Sequence, residues 1–184
     1  MTKVTRINNA AEIQQLRATI LGTTDLAVAR LKDLLDGGSP MEVFEKMRFE
    51  PVGCDPLDSS RPLNFVEQVN QAFTYLATLE ATEWLLQRHP GAAPFVLNLG
   101  TASGPDVASA DGRLAAEVFA AVSPQNNRKL ANDLDRVAKM PATQRFVFFA
   151  CPGDAQDVAV RNVGGVSVTV VPLRMLQQGF GHAV

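Results

Sequence analysis

The spacing of apolar residues changes period along this chain, and the changes mark its elements. From Asn9 to Leu21, Ile13, Leu16 and Ile20 recur at helical spacing. Asp25 to Leu35 repeats the pattern through Leu26, Val28, Leu31 and Leu34-Leu35, until Gly37-Gly38 stops it. Ser39-Pro40-Met41-Glu42 then sets a capping residue, a first-turn proline and a glutamate in the order that starts a helix. Phe49 to Pro62 carries Pro51, Gly53, Pro56, Ser59, Ser60 and Pro62 and reads as a loop. A long helix is predicted from Asn64, which makes a capping-box pattern with Glu67, to about Arg88. Phe65, Val69, Phe73, Leu76, Leu79 and the Trp84–Leu86 cluster form its apolar stripe.

Beyond His89-Pro90-Gly91 the period shortens to two. Phe95–Leu99 is a short strand and Gly100 to Pro105 a loop; Asp106–Ser109 and Leu114–Val122 make a hairpin about Asp111-Gly112. Ser123-Pro124 opens a helix, Pro124–Lys139, with Leu130, Leu134 and Val137 on one face and Pro141 ending it. Arg145–Ala150 is unbroken apolar sequence, as in a buried strand, and Val166–Val171 alternates and is rich in β-branched residues. Arg174–Gln178 reads as a last helical turn. These elements divide the chain into an N-terminal helical extension, residues 1–62, and an α/β core, residues 63–184.

Composition narrows the function classes. A chain of 184 residues with 46% hydrophobic and 20% charged residues is long enough for one well-buried core and ordinary for a soluble protein. No apolar run approaches the ~20 residues that span a bilayer, and the polar Met1–Asn9 start is unlike a secretory signal, so a cytoplasmic protein without membrane contact is expected. Cys54 and Cys151 are expected as free thiols, and with His89 and His182 as its histidines the chain offers no zinc-ligand spacing. A net charge of −2 argues against strong non-specific nucleic-acid binding, while leaving room for a local basic groove. Arg128, Lys129, Arg136 and Lys139 share a predicted helix that could line such a groove, diluted by Asp133 and Asp135. Gly100-Thr101-Ala102-Ser103-Gly104 lacks the lysine and the following helix of a phosphate-binding loop.

The chemistry concentrates on two carboxylates. Asp106 opens one hairpin strand and Glu117 lies within the next, so the hairpin can set them side by side. Such a pair is costly unless a cation sits between them, and a divalent metal suits it. Alternation places Glu117 with Arg113, Ala115, Phe119 and Ala121, a mostly apolar face on which a carboxylate has no structural use. Pro105-Asp106 followed by Glu117 resembles the core motif of the PD-(D/E)xK nuclease-like superfamily. One departure stands out: Phe119 occupies the place of the motif lysine, two residues after the glutamate. The predicted order of helices and strands from Asn64 onward is similar to the αβββαβ core of that superfamily, plus one strand.

The resemblance implies an α/β fold with a central mixed sheet flanked by helices, restriction-endonuclease-like, behind the helical extension. It implies metal-dependent hydrolysis of phosphodiester bonds in nucleic acid, DNA ahead of RNA, with Asp106 and Glu117 holding Mg²⁺ or Mn²⁺. It is also compatible with a homodimer. Some members draw the lysine from the following helix, which nominates Lys129, about a turn and a half into it and at stretched reach. Many carry a glutamate on the first core helix; strand length favours Glu80, and Glu67, already explained by capping, is the rival. The competing expectation is a catalytically inactive relative that keeps the fold as a binding or interaction module, favoured by Phe119 and the acidic net charge.

Overall fold

The structure is a computed structural model that describes residues 4–100, 102–152 and 157–173. It separates into two compact units, Ala11–Leu76 and a second one formed by Met1–Ala10 with Ala77–Val184. The expected turn Arg174–Gln178 and the residue His182 lie outside the described residues.

The larger unit is an α/β structure built on a mixed seven-stranded sheet flanked by helices. Its strands are β1 (Val4–Ile7), β4 (Phe95–Asn98), β5 (Val107–Ser109), β6 (Leu114–Ala120), β7 (Gln144–Ala150), β8 (Ala159–Val163) and β9 (Val166–Leu173). They lie in the order β1-β4-β5-β6-β7-β9-β8, with β6/β7 and β7/β9 parallel and the other pairs antiparallel. The four central strands expected from periodicity are present to within about two residues at each end. Two edge strands carry too little pattern to be foreseen. β1 has four residues, and β8 is largely exposed, its turn to β9 made by Gly164 and Gly165 at φ 58° and 85°.

Register fixes which side chains share a face. Glu117 pairs with Val147 and Val147 with Val170, while Phe146 and Phe148 project to the other side. Helix α4 (Lys129–Ala138) covers the Glu117 face: Val137 packs with Ala115, Phe119, Val147, Phe149, Val168 and Val170, flanked by Leu130 and Leu134. Helix α3 (Phe65–Arg88) belongs to this unit from Ala77 on, and there Trp84 covers the opposite face, meeting Phe146 and Phe148 edge-on at 5.8 and 5.4 Å.

The helix expected over Pro124–Lys139 is shorter than its sequence suggests. Asn127 and Arg128 adopt left-handed backbone, φ 53° and 55°, after a single tight turn, so the regular helix begins only at Lys129. Asparagine tolerates that conformation; arginine adopts it only under constraint. Lys129 is therefore the first residue of α4 rather than a turn and a half inside it.

The smaller unit contains α1 (Ala10–Leu35, from Ala11), α2 (Pro40–Phe49), the hairpin β2 (Gly53–Asp55) and β3 (Asp58–Leu63), and α3 up to Leu76. The two apolar stretches before Gly37 form one helix. Thr23 and Thr24 donate their hydroxyls to the Ile20 carbonyl, so neither caps a break. The Ser39–Glu42 capping box forms as expected. The proline-rich segment expected as a loop folds instead into the β2–β3 hairpin, whose strands are both edges and so accept Pro62. Gln68, 2% exposed, ties the unit together: its Oε1 accepts from Cys54 N–H at 2.8 Å and its Nε2 donates to Thr23 O at 3.0 Å. A Cβ on Gly53 would collide with that Gln68 amide, so the close approach requires glycine.

Candidate active site

Three adjacent strands of the larger unit carry one polar row. The Val107–Ala116 pairing places Asp106 opposite Glu117, and Asn98 N–H donates to Asp106 O at 2.9 Å across the β4/β5 ladder. Residues facing one another in antiparallel strands project to the same side, so Asn98, Asp106 and Glu117 share the α4 face of the sheet. The Asp106 carboxylate is anchored by Val118 N–H at 2.8 Å. Glu117 is fully buried, between Ala115 and Phe119.

Helix α4 supplies the charges that answer them. Arg136 Nη2 donates to Glu117 Oε2 and, at 3.1 Å, to Asp133 Oδ1; Lys129 Nζ donates to the same Asp133 oxygen at 2.9 Å. Asp133 is 2% exposed, a buried bridge between the two cations. Lys129 Nζ also lies 5.7 Å from the centre of the Phe119 ring, so a cation from the helix stands over the residue that fills the motif lysine position.

Three carboxylates here meet two cations, and the proton affinities of Asp106 and Glu117 are raised. Burial raises the Asp106 carboxyl above its ordinary value, opposed by its Val118 hydrogen bond. Burial, with the Asp106 charge behind it, pushes Glu117 up to about 8 against the pull of Arg136. The two carboxyls titrate as a coupled pair, each raised above its ordinary value.

Three buried side-chain oxygens among the described residues lack a hydrogen-bond partner: Asn98 Oδ1, Glu117 Oε1 and Asp133 Oδ2. All three belong to this row and its helix. An unmade buried acceptor costs about 1–3 kcal/mol, so each of the three is open to a donor or a cation. Oxygen donors of carboxylate and amide type suit a hard divalent cation, and in that respect the residues fit Mg²⁺ or Mn²⁺. Among the described residues no group of three or more His, Cys, Asp or Glu is arranged to hold a metal, so any such site rests on two carboxylates and neutral oxygens.

An open cleft of about 600 Å³ adjoins the row. It is lined by Ala102, Ser103 and Gly104 of the loop before Asp106, and by Asn132, Arg136 and Lys139 among others of α4 and its end. Arg136 thus has one side on Glu117 and the other on the cleft.

Of the residues nominated from sequence, the structure sets Asp106 opposite Glu117, while Lys129 reaches Asp133 and the Phe119 ring. Glu80 is on α3, which packs on the opposite face of the sheet from Glu117. Glu67 lies in the smaller unit, exposed, its N–H capped by Asn64 Oδ1 at 2.8 Å. Asn98 goes unremarked in the sequence, and Arg136 and Asp133 read there only as parts of a diluted basic groove and not as partners of the carboxylate pair. Their signals were a polar residue inside the apolar run Phe95–Leu99, and an aspartate between Leu130 and Val137 on the helix's apolar face.

Comparison with protein-family models, with curated proteins and with solved structures gives no match. Among the described residues no helix is long and apolar enough to cross a membrane.

Proposed function

We propose that this chain is a metal-dependent phosphodiesterase acting on nucleic acid, DNA ahead of RNA, on a PD-(D/E)xK-like scaffold. The observation that carries the reading is the in-register Asp106–Glu117 pair, with Glu117 fully buried and Asp106 partly so, whose mutual repulsion a cation would relieve. The order α3-β4-β5-β6-α4-β7 supports the αβββαβ core and the restriction-endonuclease-like fold. A bound Mg²⁺ or Mn²⁺ would make water nucleophilic near neutral pH and offset phosphate charge.

The chain's own residues do the rest. Asp106 and Glu117 present carboxylate oxygens from adjacent strands, Asp106 held by Val118 N–H. Arg136, shared between Glu117 and the cleft, neutralises the pair and faces an incoming phosphodiester; Lys139 extends that positive wall. Lys129 holds Asp133 and, through it, Arg136. In this scheme the cation expected from Lys129 alone is divided: Lys129 braces and Arg136 confronts the substrate.

A second reading has its own support. Phe119 fills the motif lysine position and stacks on Phe149 at 5.9 Å, and Arg136 already satisfies one Glu117 oxygen, which suits an inactive binding module. Incubating single- and double-stranded DNA and RNA with wild type, Asp106→Asn and Glu117→Gln, each with Mg²⁺ or Mn²⁺, separates the two. Metal-dependent cleavage lost in both variants supports the enzyme. Absence of cleavage by wild type, with cleavage gained by Phe119→Lys, supports the module.

A further inference from the structure

Asn98 ends strand β4 beside Asp106, and its side-chain amide is held in one orientation. Nδ2 donates to Ala102 O at 2.7 Å, which turns Oδ1 away from the loop Gly100–Gly104. That oxygen is buried and has no donor among the described residues, although Asn98 N–H and Asp106 O complete the ladder beside it. An asparagine whose nitrogen is fixed while its oxygen is left without a partner gains nothing for the fold from that oxygen. The independent pointer to a ligand is Glu117 in the same row, fully buried, with Oε1 also unpartnered.

Distance decides how Asn98 takes part. Asn98 and Glu117 are separated by two strand gaps, roughly 10 Å between backbones at ~4.8 Å per gap. Direct ligation of Mg²⁺ needs each oxygen at about 2.1 Å, and Mg²⁺ keeps several of its waters when protein carboxylates bind it. Asp106, in the central strand, has its carboxylate between the other two side chains. We infer that Asn98 is the third protein oxygen of the site, its Oδ1 accepting a hydrogen bond from water held by a divalent cation at Asp106 and Glu117. This rests on the proposed cation site and adds a positioning residue to it: Asn98 orients water, and Ala102 O orients Asn98.

Calorimetric titration with Mn²⁺ and with Mg²⁺, joined to thermal melts in EDTA, tests it. Wild type binds the ions and Asp106→Asn does not. Asn98→Ala binds about 10-fold or more weakly, the loss typical of outer-shell partners of a metal, and its melt in EDTA reads separately the cost of the deleted Nδ2–Ala102 O bond. Asn98→Asp, which adds a charge facing the ion, binds more tightly than wild type and covers the case in which alanine disturbs the strand end. If Asn98→Ala and Asn98→Asp both bind as wild type does while Asp106→Asn fails, the role of Asn98 is overturned and the cation site stands. If wild type binds neither ion, the cation site falls, and the role of Asn98 with it.

Discussion

The two units each bury a polar cluster, and the clusters differ in how completely they are satisfied. In the smaller unit, Gln68 bonds Cys54 N–H and Thr23 O, Thr23 Oγ1 reaches Pro56 O at 3.0 Å, and the fully buried Asp55 takes Leu57 N–H and Arg61. Among the described residues, no buried side-chain oxygen there is left without a partner. In the larger unit, Asn98, Glu117 and Asp133 each keep a buried oxygen unmatched, and two carboxyls press together at raised proton affinity. A cluster that only holds elements together closes its own hydrogen bonds. One that leaves buried acceptors unmatched gives up stability that a ligand can restore.

Breaking the satisfied cluster should have the largest effect on folding. Gln68→Leu keeps size but strands Cys54 N–H and Thr23 O, each costing about 1–3 kcal/mol, so urea denaturation should register a loss of about 3 kcal/mol. A loss below about 1 kcal/mol would mean that the Gln68 junction is not what organises that unit.

Arg136→Met should come next, at about 2 kcal/mol near pH 8, because Glu117 and Asp133 lose a partner while remaining buried. The loss should shrink on acidification as the Glu117 carboxyl takes up its proton. Equal losses at pH 5 and pH 8 would show that methionine disturbs packing instead of charge.

Glu117→Gln sharpens the comparison through pH. Glu117 is raised in the fold to about 8 from its ordinary 4.5, so between these values the folded state holds a proton that the unfolded chain has released. The stabilising contribution is therefore fully present below about pH 4.5 and declines as pH rises through about 8, by about 1 kcal/mol per pH unit at most. Glutamine removes the slope, and denaturation midpoints at pH 5, 6.5 and 8 should become level. A slope that survives the substitution assigns it to another group.

Lys129→Met should matter least for folding, below about 1 kcal/mol. Lys129 is 41% exposed on its side chain and Asp133 retains Arg136. If its melting temperature falls as far as that of Arg136→Met, the two cations are equal braces and the division of labour between them is wrong.

Periodicity alone placed the central strands, the long helix ending at Arg88 and the Ser39 helix start, because alternation and helical spacing are written residue by residue and a capping box is a local pattern. It also singled out Asp106 and Glu117, since a carboxylate on an apolar strand face is conspicuous in sequence. Local sequence could not reveal β1 or β8, whose short or exposed runs acquire strand geometry only from the neighbour they pair with. The left-handed step at Asn127-Arg128 moved Lys129 to the start of α4, a backbone decision made by how the chain packs onto the sheet. The partners of Glu117 were beyond sequence for a related reason. Arg136 reaches it across a parallel crossover and holds Asp133 beside it, and Asn98 joins the row through the register of three strands. Pairing of this kind is fixed by tertiary contacts, and those alone decided which charges would answer the buried pair.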